Sequence, residues 1–247
     1  MADAFKVVRD FEQALCDFTG AKYAVTTTSC TMALLLACEW KIREMNGGNT
    51  RHDWKRGPDG VTYKTPKITI PNRTYVGVPM SIIHAGSRVG FRDEEWVGSY
   101  RLDPLPVWDS ARWFTHGMFD GNGAKALGAP APFSHKDFDA WTAKRMMVCV
   151  SFHWSKTLGI QQGGAILHDD PEADEWLRRA RFDGRKEGVH PKDDKDMIIG
   201  YHAYMSPETA AAGLVRLANL PKHNDPLPWG PGTNSDYPDL SQMECFK

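Results

Sequence analysis

Residues 147–168 read MVCVSFHWSKTLGIQQGGAILH. Two apolar runs, Met147 to Phe152 and Gly164 to His168, have the length and composition of short buried strands, and the turn between them carries Lys156. A lysine just past the end of a strand lies at the carboxyl edge of the sheet, where open α/β folds bind their ligands. Such a lysine is ordinarily a solvated surface group, so its meaning rests on what else the chain brings to that edge.

Working outward, Phe5, Val8, Phe11, Leu15 and Phe18 recur at helical spacing and stop at Gly20, the pattern of an amphipathic helix with a glycine stop. Tyr23 to Thr26 follows as a strand, and Ser29 to Met45 as a strongly apolar helix for which Ser29 or Thr28 suits the N-cap. Further strands are expected at Lys67 to Pro71, Arg88 to Asp93 and Leu105 to Asp109. Helical stretches fall at Thr74 to Ala85, Glu172 to Phe182 and Pro207 to Leu220. Alternation of this kind predicts an α/β fold with a mostly parallel sheet and helices on both faces. The division that follows is one large domain over residues 1–220, with a polar surface loop at 46–64 and an irregular insertion at 112–133. Residues 221–247 form an extended C-terminal tail rich in proline and glycine.

Two other strand ends supply chemistry. Val107-Trp-Asp109-Ser-Ala-Arg112 closes a strand with an acid, which suits either a helix cap or a carboxylate facing a protonated heterocyclic nitrogen. Thr28-Ser29-Cys30-Thr31 opens the apolar helix, whose first N–H groups and positive dipole end favour an anion. Simple capping by Ser29 explains those residues equally well. A lysine nucleophile, an acid and an anion site on one sheet edge match what pyridoxal phosphate (PLP) requires: an imine partner, a carboxylate for the pyridinium nitrogen, and a phosphate cradle.

Taken together the motifs resemble the DegT-type PLP-dependent sugar aminotransferases of the aspartate-aminotransferase fold, fold type I. FEQALCDFTGAKYAVTTTSCTMALLLA is similar to that family's N-terminal helix, strand and Ser-Gly-Thr turn, and PNRTYVGVPMSIIHAG to its Pro-x-x-Thr-aromatic helix. VWDSAR resembles its Glu-Asp-x-Ala-Gln element, SFHWSKTLGIQQGGAIL its lysine segment, and LRRARFDGR with GYHAYMSPETAAAGLVRL its later helix and interface segment. The resemblance implies a Schiff base at Lys156, Asp109 at the pyridine nitrogen, Tyr75 on the ring face, and Ser29, Cys30, Thr31 and Ser151 at the phosphate. It also implies a homodimer with shared active sites, in which His202 reaches the neighbouring subunit's cofactor.

The departures point to rebuilt contacts. Cys30 stands for the family's glycine, Arg112 for its glutamine, His202 for its asparagine and Tyr204 for its arginine. Arg112 is counted with the cofactor contacts, and His153, Trp154 and Tyr204 with the substrate. Asp93 and Asp109 are too close for the family's strand-helix unit, whereas Asp109 to Lys156 is longer than usual. The chain ends where the family's small domain would begin, which implies an open site and a bulky substrate.

The default reaction implied is transamination of a nucleotide-linked sugar or another bulky amine. A second reading is decarboxylation of an amino acid attached to a DNA base, since minimal proteins resembling this family serve bacteriophage thymine hypermodification. It draws on Arg51, Trp54, Lys55 and Arg56, cations flanking an aromatic that suit phosphate and a stacked base; a solvated loop explains them as well. A third is a PLP-binding homologue without turnover. The 30 basic and 31 acidic residues of this 247-residue chain nearly cancel, giving no support to a generic nucleic-acid or membrane binder. Five scattered cysteines without CxxC spacing, and no metal-ligand spacing among the histidines, argue against a metal and for a reducing cytoplasm. No signal core or membrane-spanning run is visible.

Overall fold

A computed structural model describes residues 3–49, 64–119, 145–228 and 236–247. Arg51, Trp54, Lys55 and Arg56 lie outside these described residues, as do much of the predicted surface loop and most of the predicted insertion.

The chain opens with α1 (Lys6–Thr19), which ends where Gly20 adopts φ +88° and donates its N–H to the Cys16 carbonyl at 2.8 Å. That left-handed turn is open to glycine without a Cβ clash. β1 (Tyr23–Thr27) and α2 (Cys30–Met45) follow, with Ser29 in extended backbone accepting from the Met32 N–H at 3.2 Å. β2 (Lys67–Pro71), α3 (Gly77–His84) and β3 (Arg88–Arg92) form the next unit. Then come β4 (Tyr100–Arg101), β5 (Val107–Ser110), β6 (Met147–Ser151), β7 (Gly164–His168), α4 (Pro171–Arg181) and α5 (Pro207–Ala218).

The main sheet has the order β1-β7-β6-β5-β4, and β2 and β3 form a two-stranded parallel sheet. β5 and β6 are parallel, with Asp109 opposite Cys149, while β7 runs antiparallel to both β6 and β1. β4 runs antiparallel to β5, pairing Tyr100 with Asp109. Just beyond β4, Asp103 and Thr69 exchange N–H···O bonds of 2.7 and 3.1 Å, so the hairpin links β2 to the main sheet. The α/β class therefore holds, with a refinement of the mostly parallel expectation. β1, β2, β3, β5 and β6 share one direction, but β7 and β4 are inserted against them, so pairing is mixed. The two-residue β4 had no signal in the sequence, and it occupies the short interval where a strand-helix unit was missed.

Helices cover both faces because the buried strands alternate their side chains. Met147, Cys149, Ile166 and Val107 pack toward α2, α3 and α4, whereas Val148, Val150, Leu167 and Trp108 pack toward α1 and α5. The C-terminal stretch is docked on this body. Thr115 Oγ1 donates to the Lys222 carbonyl at 3.0 Å and Leu227 N–H to the Arg112 carbonyl at 2.8 Å. Leu240 is fully buried and donates its N–H to the Asn72 carbonyl at 2.9 Å, and short 3-10 turns form at Leu240–Gln242 and Glu244–Phe246.

One buried ionic cluster ties three elements together. Glu12 of α1 accepts from the Thr26 N–H and hydroxyl of β1 at 2.9 and 2.8 Å, from Arg178 at 2.6 Å, and from Arg181, both on α4. Burial alone would raise the Glu12 pKa; the two guanidiniums outweigh it and hold the group down at about 2.

Glu12→Gln removes the close counter-charge of the buried Arg181 and leaves it only Glu187 at 4.0 Å, and about 3 kcal/mol of stability is expected to be lost in urea unfolding. Because the folded pKa is depressed, the Glu12 contribution is complete above its ordinary value of 4.5 and fades as pH falls toward about 2. Acid unfolding of the wild type, but not of the variant, should carry that component.

Candidate active site

The strand order brings the carboxyl ends of β5 and β6 side by side, next to the start of β7 and the first turn of α2. A pocket of about 300 Å³ opens there, at the small end of ligand-binding cavities. Its walls include Ser29, Cys30 and Thr31 from the start of α2, and Asp109 and Arg112 from the end of β5. Ser151, His153 and Lys156 come from the end of β6, and Tyr75 from the turn before α3. Sequence reasoning had singled out all of these residues.

Asp109 forms a fixed, buried wall of the pocket. It is 3% exposed; its Oδ2 accepts from the Tyr100 hydroxyl at 2.7 Å and its Oδ1 from the Ala111 N–H at 2.9 Å. Tyr100 is in turn hydrogen-bonded to Thr74 at 2.6 Å. Burial raises the Asp109 pKa against the pull of these donors and of the Lys156 charge. The carboxylate is therefore short of positive charge, the condition that a protonated ring nitrogen would relieve.

Lys156 is half-buried in a turn stitched across the β6–β7 connection. Its N–H donates to the His153 carbonyl at 2.8 Å, Trp154 N–H to Gln161 at 3.2 Å, and Ile160 N–H to Phe152 at 3.0 Å. Burial lowers the Lys156 pKa, the Arg112 charge lowers it further, and Asp109 opposes both. A lowered pKa is what an amine nucleophile requires.

The helix start approaches β7 so closely that no side chain fits between them. A Cβ on Gly164 would lie 2.5 Å from the Cys30 nitrogen and 2.7 Å from its Cα. Gly164 thus allows the first turn of α2, whose N–H groups have no intrahelical acceptor, to reach the pocket. Ser29 both caps the helix and lines the pocket, so the two readings of that residue are compatible.

Three expected contacts lie elsewhere within this chain. His202 is exposed and its Nδ1 is 3.1 Å from Asp183; its segment is held beside the β1–α2 turn by Thr28 N–H donating to the Ala203 carbonyl at 2.9 Å. Tyr204 packs its ring against Phe5 and Phe182, with centroids 5.3 and 4.7 Å away. Trp154 is 71% exposed, packs on His153, and is not part of the pocket wall. Missed residues include Thr74, Trp96, Gln162 and Tyr237 on the wall and Tyr100 behind Asp109. Thr74 and Gln162 sit inside quoted motifs and were within reach; Tyr100 and Tyr237 come from a two-residue strand and the tail, where no periodicity marks them.

A larger hollow of about 910 Å³ lies between α1 and α4. Its charged groups neutralise one another, as in Arg9 with Asp3 and Glu187, Arg178 with Glu12 and Asp174, and Arg179 with Asp194. Its thiol, Cys16, is pushed up to about 11 by burial and by the Glu12 charge, so it is not an activated nucleophile, and the smaller pocket is the chemical one. Among the described residues no cluster of three or more His, Cys, Asp or Glu side chains suits a metal, and no helix is long and apolar enough to cross a membrane.

The fold and pocket define an α/β domain of the kind that presents a strand-end lysine across from a buried carboxylate. The family model for the DegT/DnrJ/EryC1/StrS aminotransferases matches residues 2–50 and 136–226, more than half of the chain, and the chain belongs to that family. Tyr75, Asp109 and Arg112 fall between the matched stretches, and it is the tertiary structure that brings them to the pocket. No curated protein matches the chain in sequence. Among solved structures it is similar to PseC of Helicobacter pylori, an aminotransferase involved in the biosynthesis of pseudoaminic acid, with 19% identity and a TM-score of 0.59. That match covers 87% of this chain and 58% of the other. The sugar aminotransferase CalS13 of Micromonospora echinospora gives 17% and 0.59, covering 86% and 60%. The E. coli GDP-4-keto-6-deoxy-D-mannose-3-dehydratase with bound hydrated PLP gives 18% and 0.58, covering 87% and 61%. The chain thus shares their fold and spans about three-fifths of their length.

Gly164→Ala would push a methyl group into the Cys30 backbone. A loss of about 1–3 kcal/mol is expected, read as a lower denaturant midpoint at unchanged slope; an unaltered midpoint would show that α2 can shift freely.

Proposed function

We propose that the pocket binds PLP and that the chain is a PLP-dependent enzyme acting on a bulky amine, with transamination as its reaction. The observation that carries this reading is the pairing of Lys156 with the buried, charge-deficient Asp109 across one 300 Å³ pocket. The residues present fit the cofactor. Asp109 would face the ring nitrogen, Tyr75 would flank the ring, and Ser29, Cys30, Thr31, Ser151 and the first N–H groups of α2 would hold the phosphate. Bound there, PLP would supply an electron sink for negative charge developing at the substrate carbon next to nitrogen.

The protein's own groups then have defined tasks. Lys156, neutral at a lower pH than an exposed lysine, would hold the cofactor and afterwards carry a proton as general acid and base. Tyr100 and Thr74 keep Asp109 in place, and Trp96 closes the wall beside Tyr100, their ring centroids 4.6 Å apart. A sugar-nucleotide is the substrate class suggested by the similar solved structures. We take His202, exposed and braced by Asp183, as the group that reaches a second copy's pocket in a homodimer. No described feature favours the DNA-borne amino acid over the sugar, so that reading rests on the sequence alone.

Purified protein incubated with PLP should turn yellow, and borohydride should fix the label on Lys156; Lys156→Ala should abolish the labelling. Uptake should set in at a pH below that of an exposed lysine. A colourless, unlabelled wild type would overturn the reading. Glutamate should convert the bound cofactor to its pyridoxamine form if transamination is right. Carbon dioxide release from an amino-acid-bearing oligonucleotide, with no pyridoxamine, would replace it by decarboxylation.

A further inference from the structure

An open site is the expectation from the sequence, yet the C-terminal segment supplies part of the pocket wall. Tyr237 lines the cavity together with Tyr75, Trp96 and Asp109. Burial raises its hydroxyl pKa, Arg112 opposes that, and Asp109 and Tyr75 add to it. The phenol therefore stands at the Asp109 end of the pocket, beside Tyr75.

Four consecutive residues, 72–75, join this segment to the buried carboxylate. The Asn72 carbonyl accepts from the Leu240 N–H at 2.9 Å, and the Arg73 guanidinium donates to the Tyr237 carbonyl at 2.9 Å. The Arg73 carbonyl accepts in turn from the Trp96 indole N–H at 2.9 Å. Thr74 carries the hydroxyl bonded to Tyr100, which donates to Asp109, and Tyr75 lines the pocket. The same short stretch thus holds the C-terminal segment at one end and presents two groups to the site at the other.

The segment is lightly held. Of residues 236–247 only Leu240 is buried. Phe246 adds an edge contact to Phe91, with ring centroids 6.1 Å apart, and the local backbone closes into two 3-10 turns. A segment that buries so little apolar surface opens at a lower free-energy cost than a core strand. Contacts that a bound molecule makes with Tyr237, or with a braced Tyr75, exist in full only while the segment is docked. Binding and docking must then favour each other by the same factor.

We infer that residues 237–246 are a working wall of the active pocket, with Leu240 and Arg73 as positioning residues that seat Tyr237 at the Asp109 end, so that cofactor occupancy and docking of this segment reinforce each other. The inference rests on the PLP reading of the pocket and deepens it. Docking keeps Asp109 dry, at 3% exposure, and a carboxylate away from water attracts a ring cation more strongly than a hydrated one.

The test reads the coupling in both directions. In the wild type, PLP should slow amide hydrogen exchange at residues 237–246 by at least about fivefold. A segment uncoupled from the pocket opens locally whether or not the pocket is filled, so unchanged rates in PLP-loaded protein would overturn the inference. Conversely, Leu240→Ala should speed exchange along the segment and weaken PLP binding by about tenfold, followed by absorbance titration. Arg73→Gln, which loses one hydrogen bond, should weaken it by about threefold. Circular dichroism reports whether each variant folds, and Arg73→Gln alters an exposed side chain, so it carries the test if Leu240→Ala does not fold. Wild-type PLP affinity in a folded variant whose segment exchanges fast would also overturn the inference while leaving the PLP reading intact. A wild type that takes up no PLP is a different failure, seen before any exchange is measured, and it overturns the parent reading together with this one.

Discussion

Burying the Asp109 carboxylate at the end of β5 is the constraint around which the rest of this structure is arranged. A carboxylate removed from water is costly unless hydrogen bonds and a positive group replace its hydration. The fold supplies the hydrogen bonds from Tyr100 and Ala111 and leaves the positive charge short. Tyr100 can donate because β4 pairs antiparallel with β5 and sets the two residues opposite each other. The small hairpin that interrupts the parallel strands is therefore part of the site's support.

The second element is close packing at the sheet edge. β7 runs against β6, and its first residue, Gly164, pairs with Ser151 on one side and Thr27 on the other. With no Cβ at that position the backbone of Ser29 and Cys30 comes down onto the strand. Helix start, Ser151 and the Lys156 turn then share one pocket. The Glu12, Arg178 and Arg181 cluster holds α1, β1 and α4 together, and the segment containing His202 runs alongside it, with Ala203 donating to the Arg181 carbonyl at 2.9 Å.

Membership of the aminotransferase family and the shared fold of structures under 20% identical set the framework. What is individual lies outside the matched stretches. β4 is a two-residue strand beside β5, Arg112 follows β5 into the pocket wall, and the C-terminal residues fold back so that Tyr237 lines the same pocket.

The sequence by itself determined the helices and most of the strands, because their apolar periodicity and glycine stops are local signals: Gly20 ends α1, Ser29 caps α2, and Met147 to Ser151 reads as a buried strand. Lys156, Asp109, Tyr75 and the Ser29–Thr31 turn were legible because each sits at an element's end within a recognisable motif. Only the tertiary structure decided that β4 and β7 oppose their neighbours, that Tyr100 backs Asp109, and that Tyr237 arrives from the far end of the chain. Within the single chain it also places Tyr204 and Trp154 outside the wall of the pocket. Those outcomes depend on contacts between residues distant in sequence, and on one missing Cβ at Gly164, and neither leaves a periodic trace along the chain.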